Sequence, residues 1–285
     1  MRPILLAERT WPEARSLARD PGAAVLLPLG AIEQHGPHLP LLVDWLGAEE
    51  LARRLAPHLS RAGWRPVLAP ALPYGVSTLA ETWAGTASLS RATLARCIVE
   101  IVRTLARPGF RRFVLVNYQA DPDHIRAMGA ARRALERDGQ VQVLFAGFGP
   151  DASVQALMVD PRVWKLLRSP RPSLEWHSGE LETALVLATR PALVRRRVVP
   201  GLRPRWVDFR GALARGARRF EDLGGSGPGY FGWPAAARAD TGRKALALRA
   251  RLFAERLVTQ LEAWSPPRGA RRRPPALRRR DRPAP

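Results

Sequence analysis

Apolar runs of strand length alternate with segments of helical periodicity along most of this chain. The runs are AAVLLPL at 23–29, RPVLAPAL at 65–72, RRFVLVNY at 111–118 and QVQVLFAGF at 140–148. Short apolar runs bounded by Gly, Pro or polar residues are typical of buried strands. Strands separated by helices pair in parallel, because each helix returns the chain to the same end of the sheet. The sequence therefore predicts a layered α/β domain with a mainly parallel sheet.

The segments between these runs predict the helices. The first helix, TWPEARSLAR at 10–19, has Thr10 as its N-cap and Pro12 in its first turn. Further helices are predicted at 44–59, 91–106, 121–139, 179–188 and 241–264. The stretch 73–90 is predicted to be a long loop, and 201–220 is predicted to be irregular.

The length of the chain suits one domain followed by a tail. The chain has 285 residues, which a single α/β domain can fill. We expect the domain to cover 1–264. Residues 265–285 contain eight arginines and hardly any core-forming residue, so this tail is predicted to be disordered.

Charge and cysteine content limit which binding partners and which cellular compartment are expected. The 46 basic residues exceed the 25 acidic ones, but only Lys165 and Lys244 are lysines, which indicates a coding bias toward arginine. Nucleic acid is therefore not expected as a partner beyond non-specific contact by the tail. Cys97 is the only cysteine, which excludes a disulfide framework and favours a cytoplasmic setting. No apolar run is long enough to cross a membrane or to serve as a signal peptide.

A polar cluster follows the first predicted strand, in GAIEQHGPHLPLLVD at 30–44. In an extended chain, Glu33 and His35 point to the same side, where they can offer a carboxylate and an imidazole to an ion. Asp44 ends the loop and could either bridge two cations or cap the next helix. His38 is interpreted as a structural histidine, hydrogen-bonded to backbone.

A second cluster lies in EWHSGELET at 175–183. His177 precedes a predicted helix, Ser178 is a candidate N-cap, and Glu180 and Glu182 fall in the first turn. Acidic residues are favoured there by the helix dipole alone, so spacing does not single out Glu182.

Four blocks of the sequence resemble the signatures of the creatininase family. LPLGAIEQHGPHLPLLVD is similar to the family's strand followed by Glu-x-His and an Asp nine residues later. HSGELETA resembles its His-Ala-Gly-Glu-x-Glu-Thr-Ser, and GSGPGYFGWPAAARADTGRKAL resembles its C-terminal Gly-rich segment. NYQADP falls where the family carries Asn-Gly-His-Gly-Gly-Asn. The blocks follow in the family's order over roughly residues 1 to 264.

The resemblance implies a three-layer α/β/α fold, homo-oligomers that are often hexamers, and one or two divalent ions of Zn, Mn or Fe. It places Glu33 and Asp44 on one metal and His35, Asp44 and Glu182 on the other. It also implies catalytic roles for His177 and Glu182, with His177 as acid/base. The implied reaction is hydrolysis of an amide-type C–N bond in a small molecule or short peptide, by attack of metal-activated hydroxide.

The third block departs from the family pattern. Gln119 stands where the family has a metal-binding histidine, and Gln is a poor replacement for imidazole. Asp121 is a candidate substitute ligand, but it also precedes Pro122 as a helix N-cap would. His124, one turn into that helix, is predicted to face solvent.

The long loop departs as well, because Leu79, Ala80, Trp83 and Ala84 replace the family's Glu-His and Phe-Pro pairs. These changes leave two hypotheses. The first is a metal-dependent amidohydrolase whose substrate is not creatinine. The alternative is a catalytically impaired relative that acts as a binding or assembly subunit.

Overall fold

The computed structural model of the chain describes residues 3–137, 139–223 and 227–264. The predicted disordered tail at 265–285 lies outside these residues. Five strands form one sheet, and they are β1 (Ile4–Leu5), β2 (Ala23–Leu29), β3 (Arg65–Leu68), β4 (Arg112–Asn117) and β5 (Gln142–Gly147). The helices are α1 (Trp11–Arg19), α2 (Val43–Arg61), α3 (Arg91–Ala106), α4 (Pro122–Glu136), α5 (Ala152–Met158), α6 (Pro161–Trp164), α7 (Glu180–Thr189), α8 (Phe209–Ala214) and α9 (Ala239–Ala263).

The sheet is parallel throughout, in the order β1-β3-β2-β4-β5. Its centre is β2, every residue of which is buried. Val25 lies opposite Val67 of β3 on one side and Phe113 of β4 on the other. Burial on both faces of the sheet therefore explains why β2 is apolar along its whole length.

Helices cover both faces of the sheet. The chain moves one way from β2 through α2 to β3, and the other way from β3 through α3 to β4 and through α4 to β5. Because such crossovers are right-handed, α2 lies on one face, and α3 and α4 lie together on the other. Helices α7 and α9 pack against α2 and complete the first layer. The predicted three-layer α/β/α fold is confirmed.

The reversal of direction occurs at β2, beside β4. Loops that leave two such neighbouring strands diverge to opposite faces and open a crevice at the carboxyl ends of the strands. The loop after β2 carries Glu33 and His35, and the loop after β4 carries Gln119. The topology thus brings the first and third sequence blocks to one place.

Some elements differ from the sequence prediction. Strand β1 is a two-residue edge strand that pairs with Val67 and Leu68, and it is too short to show a period. The segment 201–220 is not wholly irregular, because α8 forms where the Asp208 side chain accepts a hydrogen bond from Gly211 N. The predicted cap of α1 is confirmed, since Thr10 and Glu13 form a capping box there. No helix among the described residues is long and apolar enough to cross a membrane.

Candidate metal centre

The loop after β2 folds back onto the start of α2. Glu33 N donates a hydrogen bond to Leu41 O at 2.9 Å, and a side chain at Gly30 would collide with the backbone of Trp45. Asp44 is the second residue of α2, whose N-cap is Leu42, so the alternative in which Asp44 caps this helix is wrong. The Asp44 carboxylate is buried and faces the loop instead.

His35 is held in one tautomer. Its Nδ1 lies 3.1 Å from the carbonyl oxygen of Glu33, which can only accept a hydrogen bond. The proton therefore resides on Nδ1, and Nε2 carries a lone pair. Nε2 is buried without a hydrogen-bond partner and lies 3.8 Å from Asp44 Oδ2 and 3.6 Å from Glu182 Oε2.

Glu182 reaches the same point from the first turn of α7. The backbone before this helix is left-handed at Ser178, with φ of 55°, and its N–H donates to Glu182 Oε2 at 2.5 Å. The N-cap of α7 is Gly179 rather than the predicted Ser178. Glu180 points away from the site, since its carboxylate accepts from the backbone N–H groups of Arg168 and Ser169.

His177 lies on the other side of His35, with ring centroids 4.3 Å apart. Its Nε2 lies 2.9 Å from the carbonyl oxygen of Gln34, an acceptor, and 3.1 Å from the amide nitrogen of Gln34, a donor. The shorter contact favours a proton on Nε2, and in that tautomer Nδ1 has a lone pair, 3.7 Å from Glu33 Oε1. The sequence block at 175–183, which carries His177, therefore lies against the block at 30–44, which carries Gln34 and His35.

Gln119 does not offer an oxygen to the centre. Its amide nitrogen donates to Glu33 Oε2 at 2.5 Å, to Ser77 Oγ at 2.9 Å and to Val76 O at 3.2 Å. Its amide oxygen accepts from Asp121 N at 3.1 Å. The carbonyl of Val76 can only accept and the N–H of Asp121 can only donate, so these partners fix the orientation of the amide.

Asp121 caps α4, as the structural interpretation expected. One carboxylate oxygen accepts from Asp123 N and His124 N, and the other accepts from Thr78 Oγ1 and Leu79 N. Both oxygens of Asp121 therefore accept hydrogen bonds within the protein, so its structural role accounts for this residue without a metal.

Two other histidines are buried near the site. The prediction that His124 faces solvent is wrong, because the 73–90 loop covers it and Val76 N donates to its Nδ1 at 3.2 Å. His38 Nε2 lies 2.9 Å from Thr183 Oγ1, which ties the first loop to α7. Burial lowers the pKa of His124 to about 3 and that of His38 to about 4, so both are neutral.

Burial sets the protonation of the central groups. It raises the pKa of Glu182 to about 7, and together with repulsion from Glu33 and Glu182 it raises the pKa of Asp44 well above its ordinary value. Burial also lowers the pKa of His35, and burial and then His35 lower that of His177. The cluster thus concentrates carboxylates, and among the described side chains the charge of Arg249 only partly offsets them.

These features fit a divalent ion. His35, Asp44 and Glu182 offer one ligand atom each, and the three atoms lie within 4.8 Å of one another. Two of those atoms, His35 Nε2 and Asp44 Oδ2, are buried and have no hydrogen-bond partner. Buried polar atoms of native proteins are nearly always paired, so their pairing with a cation explains both at once. Glu33, His35 and His177 form a second such group.

Sequence reasoning missed two residues that support the centre. Ser77 is buried and accepts a hydrogen bond from Gln119, in a loop whose path no local pattern indicated. Arg249 is buried on α9, donates to Tyr118 Oη at 2.7 Å and lowers the pKa of Glu182 by its charge. A single arginine in an arginine-rich helix gave no sequence signal.

A cavity of about 360 Å³ opens beside the centre, and Glu33, Gln119 and His177 line one part of it. Aromatic side chains line another part, where Trp176 stacks on Phe209 with ring centroids 5.6 Å apart. This cavity therefore reaches the side of the polar cluster that Glu33 and His177 form.

Comparison with known proteins agrees with this architecture. Residues 7–257 match the family model Creatininase, described as creatinine amidohydrolase. The chain is 32% identical over 205 residues to the creatinine amidohydrolase of Pseudomonas putida, covering 67% of this chain and 74% of that protein. It is 30% identical over 254 residues to the mycofactocin precursor peptide peptidase of Mycobacterium tuberculosis H37Rv, covering 85% and 86%.

Solved structures agree as well. A crystal structure of creatininase superposes with a TM-score of 0.69 and 27% identity, covering 92% of this chain and 99% of that one. Solved creatininases include a manganese form and a Zn-Zn form. The fold, the buried cluster and these relatives together identify a metal-dependent hydrolase of amide-type C–N bonds. The chain belongs to the creatininase family.

Proposed function

We propose that this chain hydrolyses a C–N amide bond of a small molecule or short peptide, using a divalent ion held by His35, Asp44 and Glu182. The observation that carries the proposal is the unpartnered Nε2 lone pair of His35, which faces the carboxylates of Asp44 and Glu182. The Mn and Zn forms of solved relatives support either of these ions as the resident metal.

A divalent ion bound there would supply Lewis acidity, which polarises a carbonyl group and acidifies water. The residues around it would handle the protons. His177 is neutral, and in the tautomer that the shorter contact with Gln34 O favours, its Nδ1 lone pair is free. We assign to His177 the acceptance of a proton from the attacking water and its delivery to the leaving nitrogen.

The cavity supports a substrate that is larger and more apolar than creatinine. Trp176 Nε1 is buried without a hydrogen-bond partner and can donate to a substrate oxygen. Arg210 lies 5.3 Å above the Trp176 ring and also lines the cavity, where it can pair with a carboxylate. We therefore propose a short peptide or N-acyl amino acid with an apolar group and a negative charge. The relatives named as peptide peptidases support this class.

The test is a panel of N-acyl amino acids and dipeptides, with and without a terminal carboxylate, incubated with enzyme loaded with Zn²⁺ or Mn²⁺. We expect turnover only of carboxylate-bearing members, and an Arg210→Glu variant with KM raised about 10-fold or more, the scale of one lost charge-assisted hydrogen bond. Arg15→Glu, on the exposed side of α1, is the matched control and should leave KM unchanged. Equal turnover of amidated and free-acid substrates would contradict the assigned charge.

The second candidate function is a catalytically impaired subunit, and Gln119 and Ala80 favour it. Both stand where relatives carry a histidine, and Ala80 is fully buried. This candidate predicts no turnover by the metal-loaded protein across the panel, with hydrolysis appearing in a Gln119→His variant. Turnover by the wild-type chain would reject it.

We also propose that the chain forms homo-oligomers, with a hexamer as the expected state. Large apolar side chains that the fold leaves exposed, Trp11 and Tyr74, support a contact between copies. Light scattering coupled to size exclusion should give a mass of six chains, and a monomer at micromolar concentration would contradict the proposal. A cytoplasmic setting stays a prediction.

A further inference from the structure

We infer that this chain holds a single divalent ion per site, because a hydrogen bond from Gln119 occupies the place that a second ion would need. The inference rests on the proposed function and departs from the Zn-Zn form of a solved relative. It follows from counting the lone pairs that the described side chains direct at the centre.

His35 can bind only one ion. Among the described residues, two groups of side chains have ligand atoms within 4.8 Å of one another, and both contain His35. Its Nδ1 carries the proton that is donated to Glu33 O, so Nε2 has the only lone pair. A single imidazole lone pair binds one ion. The two groups therefore compete for it, and His35 cannot serve both at the same time.

Glu33 is already held by a hydrogen bond from Gln119. Without His35, the second group keeps only Glu33 and His177, while Asp44, which the family resemblance shares between two ions, directs its unpaired Oδ2 at His35. One oxygen of Glu33 already accepts from the amide nitrogen of Gln119, and the other faces His177 Nδ1 at 3.7 Å. The carboxylate is thus held by an N–H donor in the position where relatives have a ligand, and a cation placed there would meet a hydrogen of the amide.

Gln119 and Asp121 do not replace the missing ligand of a second ion. Turning the Gln119 amide over would place its oxygen against Val76 O and its nitrogen against Asp121 N–H, which costs both hydrogen bonds. Asp121 has four hydrogen-bond donors on its two oxygens. The oxygens of Asp121 are therefore fully engaged, and the oxygen of Gln119 is turned toward Asp121 N and away from Glu33. By contrast, His35, Asp44 and Glu182 each direct a ligand atom at the first ion.

Gln119 is then a positioning residue. It fixes the carboxylate of Glu33 beside His177 by a neutral hydrogen bond, where a dinuclear relative would use positive charge. Ser77 shares this role, because it accepts from the same amide nitrogen and hydrogen-bonds to Glu33. The Glu33 carboxylate is therefore kept in place at the wall of the cavity without a metal of its own.

The test is metal stoichiometry in the full chain. The purified protein is equilibrated with Mn²⁺, dialysed to a fixed free concentration and analysed by mass spectrometry for metal per chain. Electron paramagnetic resonance of the same samples separates isolated Mn²⁺ from exchange-coupled pairs. We expect one ion per chain and the spectrum of isolated ions in the wild type. Gln119→His should bind two, with a coupled spectrum.

Gln119→Ala is the matched control, since it removes the donor without adding a ligand, and it should still bind one ion. Two coupled ions in the wild-type chain would overturn the inference. If Gln119→His does not fold, by circular dichroism, the wild-type spectrum decides alone. A folded Gln119→His variant with one ion would overturn the role given to Gln119. A wild-type chain with no ion would contradict the proposed function itself, so the two failures are distinguishable.

Discussion

His35 Nε2 lies 3.6 Å from Glu182 Oε2, although His35 follows the central strand β2 and Glu182 lies in the first turn of α7, far along the chain. Among the described side chains, Arg249 is the cation whose charge acts on Glu182, and it leaves the pKa of that carboxylate raised to about 7. The contact joins the two sequence blocks in which acidic and imidazole groups were concentrated, and it is the geometric basis of the metal centre.

Removing either group should weaken metal binding. We expect His35→Ala and Glu182→Gln to bind Zn²⁺ at least about 10-fold more weakly than the wild type, because each removes a direct ligand. Calorimetric titration of the metal-free protein measures this. His58→Ala is the control, since His58 lies on α2 and pairs with Arg61 away from the centre. Unchanged affinity in both variants would contradict the ligand set.

Asp121 should matter for stability and not for metal content. Replacing it by Ala removes the N-cap of α4, which lowers the free energy of unfolding by about 1 to 2 kcal/mol. Urea denaturation and metal analysis of the same samples check both halves. Asp160→Ala is a matched control, because Asp160 caps the one-turn helix α6 and, like Asp121, precedes a proline. This substitution should lower the free energy of unfolding by less than Asp121→Ala does. A loss of metal without loss of stability would instead make Asp121 a ligand.

Protonation of His124 should contribute to unfolding of the protein at low pH. Its pKa is about 3 in the folded chain because burial disfavours the charged ring, against an ordinary 6.5 when unfolded. A depressed pKa means that the unfolded state binds the proton first. Stability is therefore complete above about pH 6.5 and falls as pH decreases toward 3, by about 1.4 kcal/mol per unit.

The variant His124→Asn tests this, because its amide oxygen can accept from Val76 N and cannot take up a proton in this range. Urea denaturation between pH 5 and pH 7.5 should show a wild-type loss that exceeds the variant's loss by about 2 kcal/mol. His38 contributes a similar slope to both proteins, so the difference isolates His124. Parallel pH profiles would show that His124 is not buried and neutral.

The fold could be predicted because each central strand is an unbroken apolar run and each connection has helical period. The exceptions are physical. Strand β1 has two residues, and α8 has six, so that its apolar residues Phe209, Ala212 and Leu213 cover little more than one turn. Elements this short give too few repeats for a periodic pattern to be recognised.

The site could be predicted only as separate local clusters. Sequence placed Glu33 with His35 and His177 with Glu182, but which clusters meet depends on the reversal of connections at β2. The interior position of His124 depends on a loop that covers it from another part of the chain. Such contacts depend on tertiary packing, which helical periodicity alone does not predict.

The most direct test of the metal centre is a crystal structure of the full chain loaded with Zn²⁺, with diffraction recorded on both sides of the zinc absorption edge. The account predicts one strong anomalous peak per chain at about 2.0 to 2.2 Å from His35 Nε2 and from oxygens of Asp44 and Glu182. No peak between these three side chains, with zinc bound elsewhere or not at all, would contradict it.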